Sequence, residues 1–160
     1  MRIFDKIEEI LAVICLSVMT ILAFANVLAR FVFKASFSFS EEITTYLFVL
    51  LSLLGTAIAV RRKAHLGLTI VTDIVSTKVR RILHIIGYLF AVAFSGAILV
   101  YGVQMVMNQI RLGMVTATMQ WPEWIYGSFV PFGAFFVVVR FIQALIEEVK
   151  GTEEEEVKAW

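Results

Sequence analysis

Between Ile10 and Ala29 the chain runs for twenty residues with Asn26 as its one strongly polar side chain. At 1.5 Å per helical residue that run spans about 30 Å, the thickness of one hydrocarbon core. Runs at about 43–60, 82–107 and 124–146 have the same character. A small soluble globule keeps much of its surface in water and has nowhere to hide four such segments. The composition agrees: 60% of the 160 residues are hydrophobic and 17% charged, with a mean hydropathy of +0.88. Soluble domains hold about 45–50% and about 25%. The expected fold is an all-α integral membrane protein with four transmembrane helices in one domain, residues 1–150. An acidic tail, 151–160, follows and carries Glu153 to Glu156.

Charged residues gather at the ends of these runs, where they cost least; within the hydrocarbon each would cost at least a few kcal/mol. The stretch from Asn26 to His65 reads as a membrane hairpin. Asn26 and Arg30, four apart, share a helix face. Ser38 and Glu41 have capping-box spacing, and Glu41 and Glu42 suit the positive end of the second helix. Gly55, beside Thr56, is small enough to admit another helix. Arg61, Arg62 and Lys63 close the segment. From 66 to 81, Ile70, Val71, Ile74, Val75 and Val79 fall on one face, predicting an amphipathic interfacial helix. Its basic ends, Arg61, Arg62, Lys63, Arg80 and Arg81, suit lipid head groups as well as simple positive-inside topology. Gly87, Ser95, Gly96 and Gly102 offer close-packing points in the third span. In the loop 108–123, Trp121 and Trp124 suit a headgroup belt, and Pro122 suits the first turn of the next helix. Pro131 should kink the fourth span, and Arg140 lies near enough its end to snorkel out.

Eleven of the fourteen Lys and Arg fall in the head, the middle loop and the tail region. Both termini are therefore expected in the cytoplasm, with 31–42 and 108–123 outside. Ala23-Phe24-Ala25 has the small-x-small form of a signal cleavage site. The apolar run continues past it, and the head carries Asp5, Glu8 and Glu9, so the segment is expected to be retained as a span.

Several functions are disfavoured. Cys15 is the single cysteine, which excludes an internal disulfide, a Cys-rich metal site and a dithiol relay; it reads as a small packing or lipid-facing residue. A net charge of +1 with its cations at membrane rims points to no nucleic-acid partner. No nucleophile–base–acid set and no phosphate loop is present, so no enzyme, cofactor or metal site is expected. His65 and His84, on different helices near one rim, offer the alternative of a bis-histidine haem in a small cytochrome or quinone-linked anchor; interfacial histidines are the plainer reading. Arg30 with Glu41 or Glu42 is read as a rim ion pair that fixes the hairpin. A proton or ion relay would need acids near the bilayer centre, and no predicted span has one there, which also disfavours an autonomous small carrier.

Asn26-Val27-x-x-Arg30-Phe31, Ser40-Glu41-Glu42, Leu47-Phe48-Val49, Gly55-Thr56-Ala57 and Arg61-x-x-x-His65 followed by Asp73, then Trp121-Pro122-Glu123-Trp124-Ile125-Tyr126 and Pro131, together resemble one family. It is the small membrane subunit of tripartite ATP-independent periplasmic (TRAP) transporters. The resemblance covers about residues 8–147; Phe39 departs from a tryptophan common there but keeps an aromatic. It implies a bacterial inner-membrane scaffold without catalytic activity. Such a subunit supports a large, elevator-type membrane subunit that imports an organic anion, C4-dicarboxylate or sialic acid in type, with a sodium gradient. A periplasmic binding protein delivers the substrate. On this resemblance Asn26, Arg30, Glu41, Glu42, Gly55 and His65 are expected to be structural or to face the large subunit. Trp121 and Glu123 are candidates for contact with the binding protein.

Overall fold

The computed structural model describes residues 2–32, 34, 37–62 and 77–158, with side chains from Asp5 onward except at 77, 78, 80, 81 and 151–158. The chain forms helices α1 (Arg2–Val32), α2 (Ser38–Arg61), α3 (Thr77–Leu112), α4 (Glu123–Gly127) and α5 (Phe129–Lys158). Four stretches are long and apolar enough to cross a membrane: Asp5–Val32, Ser38–Arg61, Ile82–Leu112 and Glu123–Lys150. Among the described residues the one extended pairing is an isolated bridge between Val115 and Pro122. The four-span expectation therefore holds. The predicted interfacial helix lies mostly outside the described residues, and from Thr77 onward its sequence already belongs to α3. At 36 residues, α3 is about 54 Å long, more than one hydrocarbon core, so it tilts or projects from the bilayer.

Helices α2 and α5 form the centre. Leu50, Leu54, Ala57 and Val60 recur at helical spacing on one face of α2 and meet Phe136, Val137 and Phe141 of α5, with Cys15 entering from α1. Cys15 is thus a packing residue. α1 packs on α2, α2 on α5, and α5 on α3. In the fourth span, Glu123–Lys150, 33% of the most apolar stretch is buried, against 6% in the spans of α1 and α3. The two flanking helices therefore present their apolar side chains outward.

Close approach depends on glycine at one central contact. A Cβ on Gly133 of α5 would lie 2.7 Å from Leu53 Cβ of α2, a distance only a bare Cα permits. At the end of α3, Gly113 takes φ +61°. Gly113 N–H donates to Ile110 O and Met114 N–H to Gln109 O, the two bonds of a Schellman terminus.

Of three local expectations, those at Ser38 and Pro122 are corrected. Ser38 does not cap α2: Phe37 holds the cap position in extended backbone, and no side chain caps there. Ser38 is already inside the helix, one residue too late for a capping box. The expected interruption of the fourth span, Glu123–Lys150, by Pro131 is present, because its ring leaves no N–H for the Gly127 carbonyl. A break at Ser128 separates α4 from α5, and Pro131 sits in the first turn of α5. Pro122 stands at the cap of α4, with φ −56° and ψ 119°, rather than inside it.

Candidate functional site

Polar side chains converge at the two rims of the bundle. At the rim where α1 begins, Asp5, Glu8 and Glu9 lie at i, i+3 and i+4 on one helical face. Their partners come from α2 and α5. Arg140 Nε donates to both Glu8 oxygens, at 2.8 and 3.1 Å, and Nη2 to Glu8 Oε2 at 2.8 Å. The same guanidinium donates to Asp5 Oδ1 at 2.5 Å and, through Nη1, to Gln143 Oε1 at 2.9 Å. Arg61 pairs with Asp5 at 3.4 Å and with Glu9, and Arg62 reaches Glu9 at 3.2 Å. Three carboxylates and three guanidinium groups thus cancel across three helices. Glu8 is 1% exposed and Arg140 6%. Such burial is tolerable only because the pair is two-pronged and its remaining hydrogen-bonding groups are used.

This cluster overturns two expectations. Arg140 does not snorkel to the surface; it is buried against Glu8. Arg61 is not free for lipid head groups, since Asp5 and Glu9 hold it. The sequence did contain a signal: acids at 5, 8 and 9 share a face, and a lone arginine within a span must find a partner.

At the same rim, His84 Nδ1 lies 3.8 Å from Glu148 Oε1, and Tyr88 meets its ring edge-on. His84 Nε2 is buried without a hydrogen-bond partner among the described residues. His65 and Lys63 lie outside the described residues, as do the side chains of Arg80 and Arg81. Among the described residues no three His, Cys, Asp or Glu side chains gather as metal ligands.

The opposite rim carries the α1–α2 hairpin and the α3–α4 turn. Asn26 Oδ1 accepts from Phe37 N–H at 2.8 Å, and Ser40 Oγ donates to Leu22 O at 3.2 Å. The hairpin is therefore closed by α1 side-chain and backbone acceptors rather than by an ion pair. Arg30 is exposed and pairs with neither glutamate; this corrects the expected Arg30–Glu41 or Arg30–Glu42 bridge. Glu41 is exposed as well. Glu42 turns the other way, and its carboxylate accepts from Ala117, Thr118 and Met119 N–H at 3.1, 3.3 and 3.3 Å. Tyr46, one helical turn later, stacks on Tyr126 of α4 with centroids 4.8 Å apart. Adjacent glutamates thus have different roles, because 100° of rotation separates neighbours on a helix.

Within the turn, Thr116 N–H donates to Trp121 O at 2.8 Å, and Trp121 N–H donates to Thr116 Oγ1 at 3.3 Å. Trp121 projects outward, 53% exposed, and Glu123 is half-buried. Gly55 makes no helix contact among the described residues: it is exposed, and a Cβ there would meet nothing within 4 Å. The described arrangement holds two tied rims and an apolar middle, with no reactive constellation.

The profile of the DctQ component of tripartite ATP-independent periplasmic transporters matches residues 19–151. The chain belongs to the DctQ family. Among similar proteins is the C4-dicarboxylate TRAP transporter small permease protein DctQ of Vibrio cholerae, 30% identical over 60% of this chain and 41% of that protein. The sialic acid TRAP transporter small permease protein SiaQ of the same species is 26% identical over 93% of this chain and 85% of its own length. The sialic acid TRAP transporter permease protein SiaT of Haemophilus influenzae is 26% identical over 90% of this chain but only 23% of itself. The chain spans about two-fifths of the length of the first of these relatives. As a DctQ-family member with four apolar helices, it is a multi-pass inner-membrane transporter component.

Proposed function

We propose that this chain is the non-catalytic scaffold of a TRAP-type transporter, supporting a larger membrane subunit that imports an organic anion with a sodium gradient. The substrate class is a C4-dicarboxylate or sialic acid, the classes named for the similar permeases from Vibrio cholerae. A periplasmic binding protein delivers it, and the large subunit carries it by an elevator-type movement. What carries this assignment is where the charges lie. No Asp or Glu occurs in the middle of any span, and the acids of α1 are held in ion pairs at a rim. A chain so built has no mid-membrane acid of the kind proton and ion relays use, which supports a moving part supplied by a partner.

In this reading both termini face the cytoplasm, following the distribution of Lys and Arg, and the hairpin rim faces the periplasm. The outward faces of α1, with Arg30, and of α3, together with Glu41 and Gly55 of α2, are available to the large subunit. Trp121 and Glu123 meet the binding protein. Lys63, Arg80, Arg81 and the exposed Arg62 contact lipid head groups. The match of this chain to one part of a longer permease supports a partner within the same membrane.

The test is a gentle-detergent pull-down of the tagged chain from its native membrane, followed by mass spectrometry. Recovery of a stoichiometric, much larger membrane protein is expected. Recovery of the chain alone would refute the scaffold assignment and favour an autonomous carrier.

A further inference from the structure

The turn between α3 and α4 is closed at its base by the Val115–Pro122 bridge, and its tip is held by one side chain from a distant helix. Three successive backbone N–H groups, at Ala117, Thr118 and Met119, point at the Glu42 carboxylate, 3.1–3.3 Å away. Consecutive N–H groups converging on an anion form a backbone nest, and here the anion is supplied from the first turns of α2. Tyr126 Oη adds a contact to Met119 Sδ at 3.6 Å, and its ring stacks on Tyr46, four residues beyond Glu42. Beyond the nest, Gln120 takes φ 55°, and the paired hydrogen bonds of Thr116 and Trp121 then fix where Trp121 leaves the surface.

We propose that Glu42 is a positioning residue: by binding the nest at 117–119 it folds the outer turn and sets the placement of Trp121 toward a soluble partner outside the membrane. The partner half of this statement rests on the docking role proposed above for Trp121. Glu42 itself does not touch the partner. Glu41, exposed beside it, has no part in the turn.

The test compares wild type with E42A, E42Q and E41A in the assembled transporter, reading hydrogen exchange in the segment 113–122. Losing charge-assisted hydrogen bonds to three amides should raise their exchange at least about tenfold in E42A. E42Q keeps the length and one acceptor oxygen and should fall between E42A and wild type, while E41A should match wild type. In the same preparations, the binding-protein concentration giving half-maximal uptake should rise in E42A, with uptake at saturation within about twofold of wild type. Unchanged exchange in both E42A and E42Q overturns the inference. Faster exchange with an unchanged half-maximal concentration overturns the positioning role alone. W121A separates the underlying docking assignment: if W121A leaves that concentration unchanged, Trp121 does not meet the binding protein. Should E42A fail to assemble, E42Q decides alone: exchange at 117–119 faster than in wild type is expected, and unchanged exchange overturns the inference.

Discussion

Replacing Arg140 with leucine should destabilise this bundle more than any change at its surface. The substitution removes three hydrogen bonds to Glu8, whose carboxylate is 1% exposed and has no water to replace them. Breaking a buried pair by deleting one partner costs about 3–5 kcal/mol, chiefly because the other charge stays sealed in. Replacing both members with apolar residues removes that stranded charge. A Glu8→Leu/Arg140→Leu chain should therefore return to within about 1–2 kcal/mol of the parent. Asp5 does not undo this recovery, since it keeps Arg61 at 3.4 Å and is partly open to water. The assay is reversible unfolding of the purified chain in mixed micelles of rising SDS content, followed by circular dichroism, for all four corners of the cycle. An Arg140→Leu chain within about 1 kcal/mol of the parent would refute the account. So would a double variant whose loss equals the sum of the single losses, for then the two groups do not act on each other.

Two further substitutions separate contacts inside the chain from those outside it. Gly133→Ala places a methyl 2.7 Å from Leu53 Cβ; because that atom is fixed to its backbone, α2 and α5 must part, at a cost of about 1–3 kcal/mol in the same unfolding assay. Gly55→Leu should leave the isolated chain within about 0.5 kcal/mol of the parent, since a Cβ at Gly55 meets nothing within 4 Å. The same variant should reduce recovery of the large subunit in the pull-down if this open face meets it, and unchanged recovery would remove Gly55 from the interface.

The rims show where a linear reading meets its limit. Glu41 and Glu42 look equivalent in sequence, yet only Glu42 faces the α3–α4 turn, more than seventy residues away. Arg140 looks like a residue near the end of a span, free to reach the surface. Its actual environment is Glu8, contributed by a segment 132 residues earlier that reads as a solvated head. Gly55 and Gly133 are both helical glycines, but among the described residues only Gly133 is opposed by another helix. In each case the deciding quantity is a distance between residues far apart in the chain, and local spacing does not contain it.

What the residues determined unaided was the solvent. Four apolar runs of bilayer length, with charges confined to their ends, leave lipid as the only medium that can accept them. From that follow the helical class, since every backbone group must be satisfied within its own segment, and the number of spans. The order of motifs around those spans was enough to point to the family. Only the packed structure decided which helices form the centre, because lipid-facing and core-facing apolar side chains have the same composition. It also decided which acid meets which arginine. Ion pairs and nests need atoms within about 3 Å, and the bundle alone brings α1, α2 and α5 that close.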